Sequence, residues 1–146
     1  MASIYFQNHL VTITYDETWQ LGIATWNGFL NSYEFKTAVE ACLNLMDEHK
    51  LLRWLGDNRK MRAIRKADQD WFVAYAVPRM IAGTLRRNAA VVSEDLFNKM
   101  AVEQIVKRAP DLGDMVFKDF DNPVTAMEWL KEPIALVEQG YQQLVT

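Results

Sequence analysis

The residues best suited to chemistry follow one short apolar run. Arg53-Trp54-Leu55 gives way to Gly56-Asp57-Asn58, and residues 59 to 66 then hold five cations, Arg59, Lys60, Arg62, Arg65 and Lys66, with no acid among them. This pattern predicts a strand over Leu51 to Leu55 that stops in a basic loop. Ligands of open α/β sheets gather just past the carboxyl ends of strands, so Asp57 stands where a ligating or proton-transferring carboxylate is often placed. Acid/base catalysis or a hard cation would need a second carboxylate nearby, and Asp68 and Asp70 are the candidates. The same residues have a purely structural use: Asp57 and Asn58 shape a turn, while Asp68 and Asp70 start a helix. The cations suit a phosphate-bearing partner, an acidic protein surface or an anionic lipid, especially if Arg79, Arg86 and Arg87 join them. As a solvated face paired with local acids they would contribute only about 0 to 1 kcal/mol per pair. The candidate binding set is Asp57, Asn58, Arg59, Arg62, Arg65, Lys66, Asp70 and Trp71, with no catalytic residue assigned.

Other chemistries find little support. His9 and His49 are the only histidines and neither neighbours a cysteine or a second histidine, so no zinc spacing exists and no metal ligand is assigned. Cys42 is the single cysteine; it falls on the apolar stripe of a helix and reads as a small core residue. The six glycines are scattered, without a phosphate-binding loop, and no cofactor is expected. Trp54, Trp71 and Trp129 read as core at their spacings, with a ligand box as the alternative.

The elements that position these residues follow from periodicity. Ile4 to Phe6 and Val11 to Tyr15 are β-branched and aromatic, the latter alternating with a period of two, and a third strand runs from Trp19 to Trp26 before Asn27-Gly28. These predict an N-terminal antiparallel meander. Behind Asn31 and Ser32 as candidate caps, Phe35, Ala38, Val39, Cys42, Leu43 and Met46 recur at helical spacing. Strand, helix and strand over residues 19 to 57 close as a right-handed crossover. A helix from Asp68 should kink or break at Pro78, which belongs in the first turn of a second segment because its ring costs about 3 kcal/mol inside an intact helix. Asn88 to Val92 is the next strand. A helix from Ser93-Glu94-Asp95 to about Arg108 places Phe97, Ala101 and Ile105 inward, Met115 to Phe117 forms a short strand, Pro123 opens a helix, and Pro133 opens a terminal helix with Ile134, Val137 and Tyr141.

Composition sets the class. A chain of 146 residues that is 50% hydrophobic fits one compact α/β domain, residues 1 to 146, and needs no disulfide to hold it. Its 16 basic and 19 acidic residues leave a net charge of −3, which argues against a nucleic-acid binder. The acids concentrate late: residues 111 to 132 hold six, against Lys118 and Lys131, a polarity suited to self-association or to an oppositely charged partner. No apolar run reaches the roughly 18 residues of a membrane span, and the N-terminus lacks a signal-peptide pattern, so a cytoplasmic location is expected.

Trp26-Asn27-Gly28 before an amphipathic helix, Trp54-Leu55-Gly56-Asp57 at a strand end, Asp68-Gln69-Asp70-Trp71 heading a helix, Ala89 to Val92 as a late strand and Ala126-Met127-Glu128-Trp129-Leu130 near the end resemble, across nearly the whole chain, the SpoIIAA-like branch of the STAS superfamily. The resemblance implies a mixed sheet of about five to six strands with helices mainly on one face. It also implies a non-enzymatic role in protein recognition or small-ligand sensing; relatives of the fold include CRAL-TRIO-like lipid binders. The phosphorylatable serine loop of the anti-sigma-factor antagonists does not carry over, because no Ser or Thr occurs from Ala38 to Gly83. The expectation is thus a regulatory binding module without a cofactor, taking a protein partner or a small anionic or apolar ligand, with a homodimer as one form of assembly. The alternatives are a carrier with an apolar cavity lined by residues such as Trp71, Tyr75 and Met80, and a hydrolase-type enzyme using Asp57 with Asp68 or Asp70.

Overall fold

The structure, a computed structural model, describes the backbone of residues 2–138 and 141–145 and side-chain surroundings as far as residue 135. Six strands form one mixed sheet in chain order: β1 (Ser3–Gln7), β2 (Val11–Asp16), β3 (Leu21–Gly28), β4 (Arg53–Met61), β5 (Arg87–Val91) and β6 (Val116–Phe120). The first three pair antiparallel, and β3 to β6 run parallel. The crossovers carry α1 (Ser32–Glu48), then α2 (Lys66–Trp71) and α3 (Val77–Ala82), then α4 (Leu96–Arg108), while α5 (Pro123–Leu130) follows β6. No helix among the described residues is long and apolar enough to cross a membrane.

Alternation along the strands sorts the core into two layers. Val11, Ile13, Ala24, Trp26 and Trp54 face α1 and α3, where Phe35, Val39, Leu43, Met46, Val77 and Met80 meet them. Leu21, Leu55, Ala89 and Val91 face the other way, onto Ala126 and Leu130 of α5. Helix α1 starts where the caps predict: Asn31 Oδ1 accepts the Glu34 N–H at 2.8 Å and Glu34 Oε1 accepts the Asn31 N–H at 2.9 Å, a reciprocal capping box. Pro78 is accommodated as expected. A π-helical turn over Phe72–Ala76 separates α2 from α3, with the Val77 N–H donating to Phe72 O, so Pro78 sits in the first turn of α3.

Three expectations are corrected. The strand from Leu51 to Leu55 does not stop at Gly56-Asp57-Asn58; β4 continues to Met61, because Gly56 and Asp57 are held on both edges, Gly56 pairing with Ala24 and Ala90, and past an irregularity at Asn58-Arg59 β3 alone pairs with Lys60 and Met61. Gly56 and Asp57, which favour a turn in isolation, are here held extended by two ladders. Phe97 is 70% exposed rather than inward; the first turn of α4 buries Asn98 instead, whose Nδ2 donates to Arg62 O at 2.9 Å. After Pro133 the chain forms no helix but a separate two-stranded hairpin, β7 (Ile134–Glu138) against β8 (Tyr141–Val145).

Candidate functional site

The basic segment is largely consumed by local pairs. Arg59 lies on the strand itself and donates to both carboxylate oxygens of Asp57, from Nε at 3.0 Å and from a terminal nitrogen at 2.7 Å. Burial pushes the Asp57 carboxyl up, but the side-chain and backbone hydrogen bonds from Arg59 outweigh it and hold the group below the ordinary carboxylate range. Arg62 approaches Asp95 at 3.5 Å, Arg65 lies over the Phe29 ring at 5.3 Å, and Lys66 pairs with Asp70 at 2.7 Å. Asp70 is shared with Arg108 of α4 at 2.8 Å, which ties α2 to α4. Trp71 stacks on Tyr75 at 5.1 Å and meets Phe35 edge-on.

The wider basic patch does not assemble. Arg79 is clamped between Glu40 and Asp47 of α1 at 2.7 and 2.8 Å, Arg86 donates to the carbonyls of Thr84 and Leu85, and Arg87 to those at the end of α5. Nor do the three carboxylates converge. Asp57 shares the α5 side of the sheet with Leu55, whereas α2, carrying Asp68 and Asp70, packs on the opposite side through Trp71. No group of three or more His, Cys, Asp or Glu among the described residues could hold a metal ion.

The Asp57–Arg59 pair leads to a pH-dependent expectation. A carboxyl whose folded-state pKa lies below its unfolded value stabilises the fold fully above the unfolded pKa, and that contribution disappears as pH falls through the folded-state value. Asp57→Asn is expected to lower stability by about 0.5 to 1 kcal/mol near neutrality, since the pair is partly solvated, and to lose this deficit in acid. Thermal melts of both proteins from about pH 7 down to pH 3 check it; a deficit unchanged across the range removes the ion pair as its cause.

Asn58, next along β4, faces the other layer and borders a cavity that charge patterning did not reveal. Glycine and alanine explain its existence. The Trp54 indole lies flat over Gly22, so close that a Cβ there would sit 2.3 Å from its ring, and it therefore leans toward β3. The floor beside it is Gly56 and Ala90, paired neighbours with almost no side chain. The space above them stays unfilled, a cavity of about 160 Å³ between sheet and helices. Its walls include Trp26, Phe35, Met46, Trp54, Met61, Met80 and Met115, and no charged residue lines it. Met80 was expected there; Trp71 and Tyr75 are not among its lining residues. Cys42 is, and burial pushes its thiol well above the ordinary value, so it is a wall rather than a nucleophile.

A second, polar groove of about 400 Å³ opens at the carboxyl ends of β5 and β6 against α4, bordered by Ser93, Lys99, Glu103, Lys107 and Asp119. Asn58, Ala90, Val102, Val106 and Phe117 border both spaces. They form the boundary that the apolar interior and the polar groove share. No family model, no curated protein and no solved structure matches this chain.

Proposed function

We propose that this chain is a non-enzymatic module that binds a small, predominantly apolar ligand in the cavity between the sheet and α1, α3 and α4, entering by the groove beside α4. The observation that carries this reading is the shared boundary: an uncharged interior has five wall residues in common with a groove at the strand carboxyl ends, where α/β folds bind ligands. Interiors are normally packed to crystal density, so an apolar void of this size forgoes dispersion contacts that a ligand would restore. Four methionines among the walls provide a flexible, polarizable lining. The resemblance to SpoIIAA-like domains is compatible with this reading, since it implies protein recognition or small-ligand sensing. Small-ligand binding is favoured over protein recognition because the predicted basic surface is mostly neutralised by its own acids.

The methionines also provide the test. Titrating 1-octanol into protein labelled at the methionine methyls should move the signals of Met46, Met61, Met80 and Met115 in a saturable way, leaving Met100, which is half-exposed on α4, in place. Val102→Phe puts a ring into the shared boundary and should weaken binding by at least about tenfold, with a stability change of about 1 to 3 kcal/mol at most. Unmoved cavity methyls in the wild type, or undiminished binding in a folded Val102→Phe protein, would overturn the reading.

A further inference from the structure

We infer that the ligand is neutral and bipolar: an apolar body of single-ring width or a medium-length chain, with a hydrogen-bonding group at each end. The inference rests on the cavity being a ligand site and deepens it by naming the chemistry of the molecule.

Two carboxamides line an otherwise apolar interior. Asn88 stands on β5 opposite Trp54, and Asn58 stands on β4 past the paired residues Gly56 and Ala90. Each is two residues from that central pair, in opposite directions and on the same face. Four residues of extended chain separate them, about 13 Å along the strands. The cavity thus has one amide at its inner end and one at the boundary it shares with the groove.

Among the described residues neither amide finds a full set of partners. The Asn58 side chain makes no hydrogen bond with any described residue, its Oδ1 lying 3.7 Å from where a Gly56 Cβ would be. The Asn88 Nδ2 reaches only the sulfurs of Met80 and Met115, at 3.9 and 4.0 Å, and its oxygen accepts from no described residue. They are not sealed in. Among the described residues the fully enclosed polar atoms without partners are Asp68 Oδ2 and Asn98 Oδ1, so the amides of Asn58 and Asn88 retain open surface. A carboxamide costs free energy in an apolar wall unless something bonds to it, and each of these offers both a donor and an acceptor.

The same lining excludes charge at either end. No Asp, Glu, Lys, Arg or His borders the interior, so an ionised end group would be desolvated without a counter-ion. Hydroxyl, amide and carbonyl ends remain. A second polar end normally weakens transfer into an apolar cavity, because its water shell is lost; it strengthens binding only where a waiting partner replaces that shell. This contrast makes the proposal testable.

The experiment titrates α,ω-alkanediols of increasing length, and 1-alkanols of matched length, into methionine-methyl-labelled protein. The diol series is expected to show an affinity maximum at the length spanning about 13 Å, exceeding the matched alkanol by about tenfold there. Asn88→Leu should erase that advantage and leave alkanol binding in place, while α,ω-dicarboxylates at neutral pH should not move the cavity methyls. Saturable binding of alkanols with diols no tighter at any length would overturn the bipolar ligand and leave the cavity reading standing. Failure of both series to move the four cavity methyls would overturn both.

Discussion

Arg53→Met is expected to destabilise the protein by about 3 kcal/mol or more, lowering the melting temperature by roughly 10 °C, with α5 released before the rest of the sheet. Arg53 is fully buried at the start of β4 and points to the α5 side. Its guanidinium donates to the carbonyls of Leu130, at the end of α5, and of Trp19, and approaches that of Glu132 at 3.5 Å. Arg87 beside it donates to Trp129, Glu132 and Pro133. The last carbonyls of a helix have no partner inside it and carry its negative pole, so two guanidinium groups there satisfy acceptors and complement the dipole together. Burial and the neighbouring Arg87 charge push the Arg53 guanidinium below its ordinary pKa. Methionine fills the volume but orphans the carbonyls. Arg53→Lys should not rescue, because one ammonium cannot reproduce a fork directed at several acceptors. Denaturant melts read the stability, and hydrogen exchange in residues 123 to 130 reads the release; a loss below about 1 kcal/mol would show that Arg87 alone suffices to cap α5.

The second large effect is expected at Gly22. A Cβ there would meet Trp54 Cζ3 at 2.3 Å, Trp54 Cε3 at 2.6 Å and Leu51 Cδ1 at 2.8 Å, approaches that no side chain tolerates without displacement. The indole cannot yield toward β3, and the open space lies over Gly56 and Ala90. Gly22→Ala should therefore cost about 2 to 3 kcal/mol and drive the indole into the cavity, so that 1-octanol no longer moves the methyls of Met80 and Met115. Coupling separates this mechanism from a simple strand defect. In a Trp54→Leu background the alanine meets only the flexible end of Leu51, so the same substitution should cost clearly less than in the wild type. An equal cost in both backgrounds would mean that the penalty arises elsewhere in β3.

Legibility tracked the distance over which each feature is decided. The capping box of Asn31 and Glu34 and the apolar stripe of α1 lie within one helix, and the sequence shows both. The irregularity expected around Pro78 is also local: it takes the form of a π turn within a continuous helical run, because a proline ring acts on the turn before it. Gly56-Asp57-Asn58 favours a turn locally, whereas in the fold two neighbouring strands hold Gly56 and Asp57 extended and β3 resumes pairing at Lys60. Arg59 and Lys60 were thereby assigned to a loop although they belong to β4, where Arg59 meets Asp57 two residues away on the same face. Phe97 misled for a related reason: helical spacing groups it with Ala101 and Ile105, but Arg62 O selects Asn98 for the inward position.

From sequence alone this chain is an α/β protein with a meander followed by crossovers, because period-two and period-3.6 patterns are local consequences of backbone geometry. The unbroken apolar run from Ala89 to Val92 also marks a strand buried on both faces. It cannot show what covers them. That α5 is fastened by Arg53 and Arg87, that Asp57 is separated by the sheet from Asp68 and Asp70, and that Trp54 leaning over Gly22 leaves a cavity between Asn88 and Asn58 all depend on residues far apart in the chain meeting in space, and only the tertiary packing decides them.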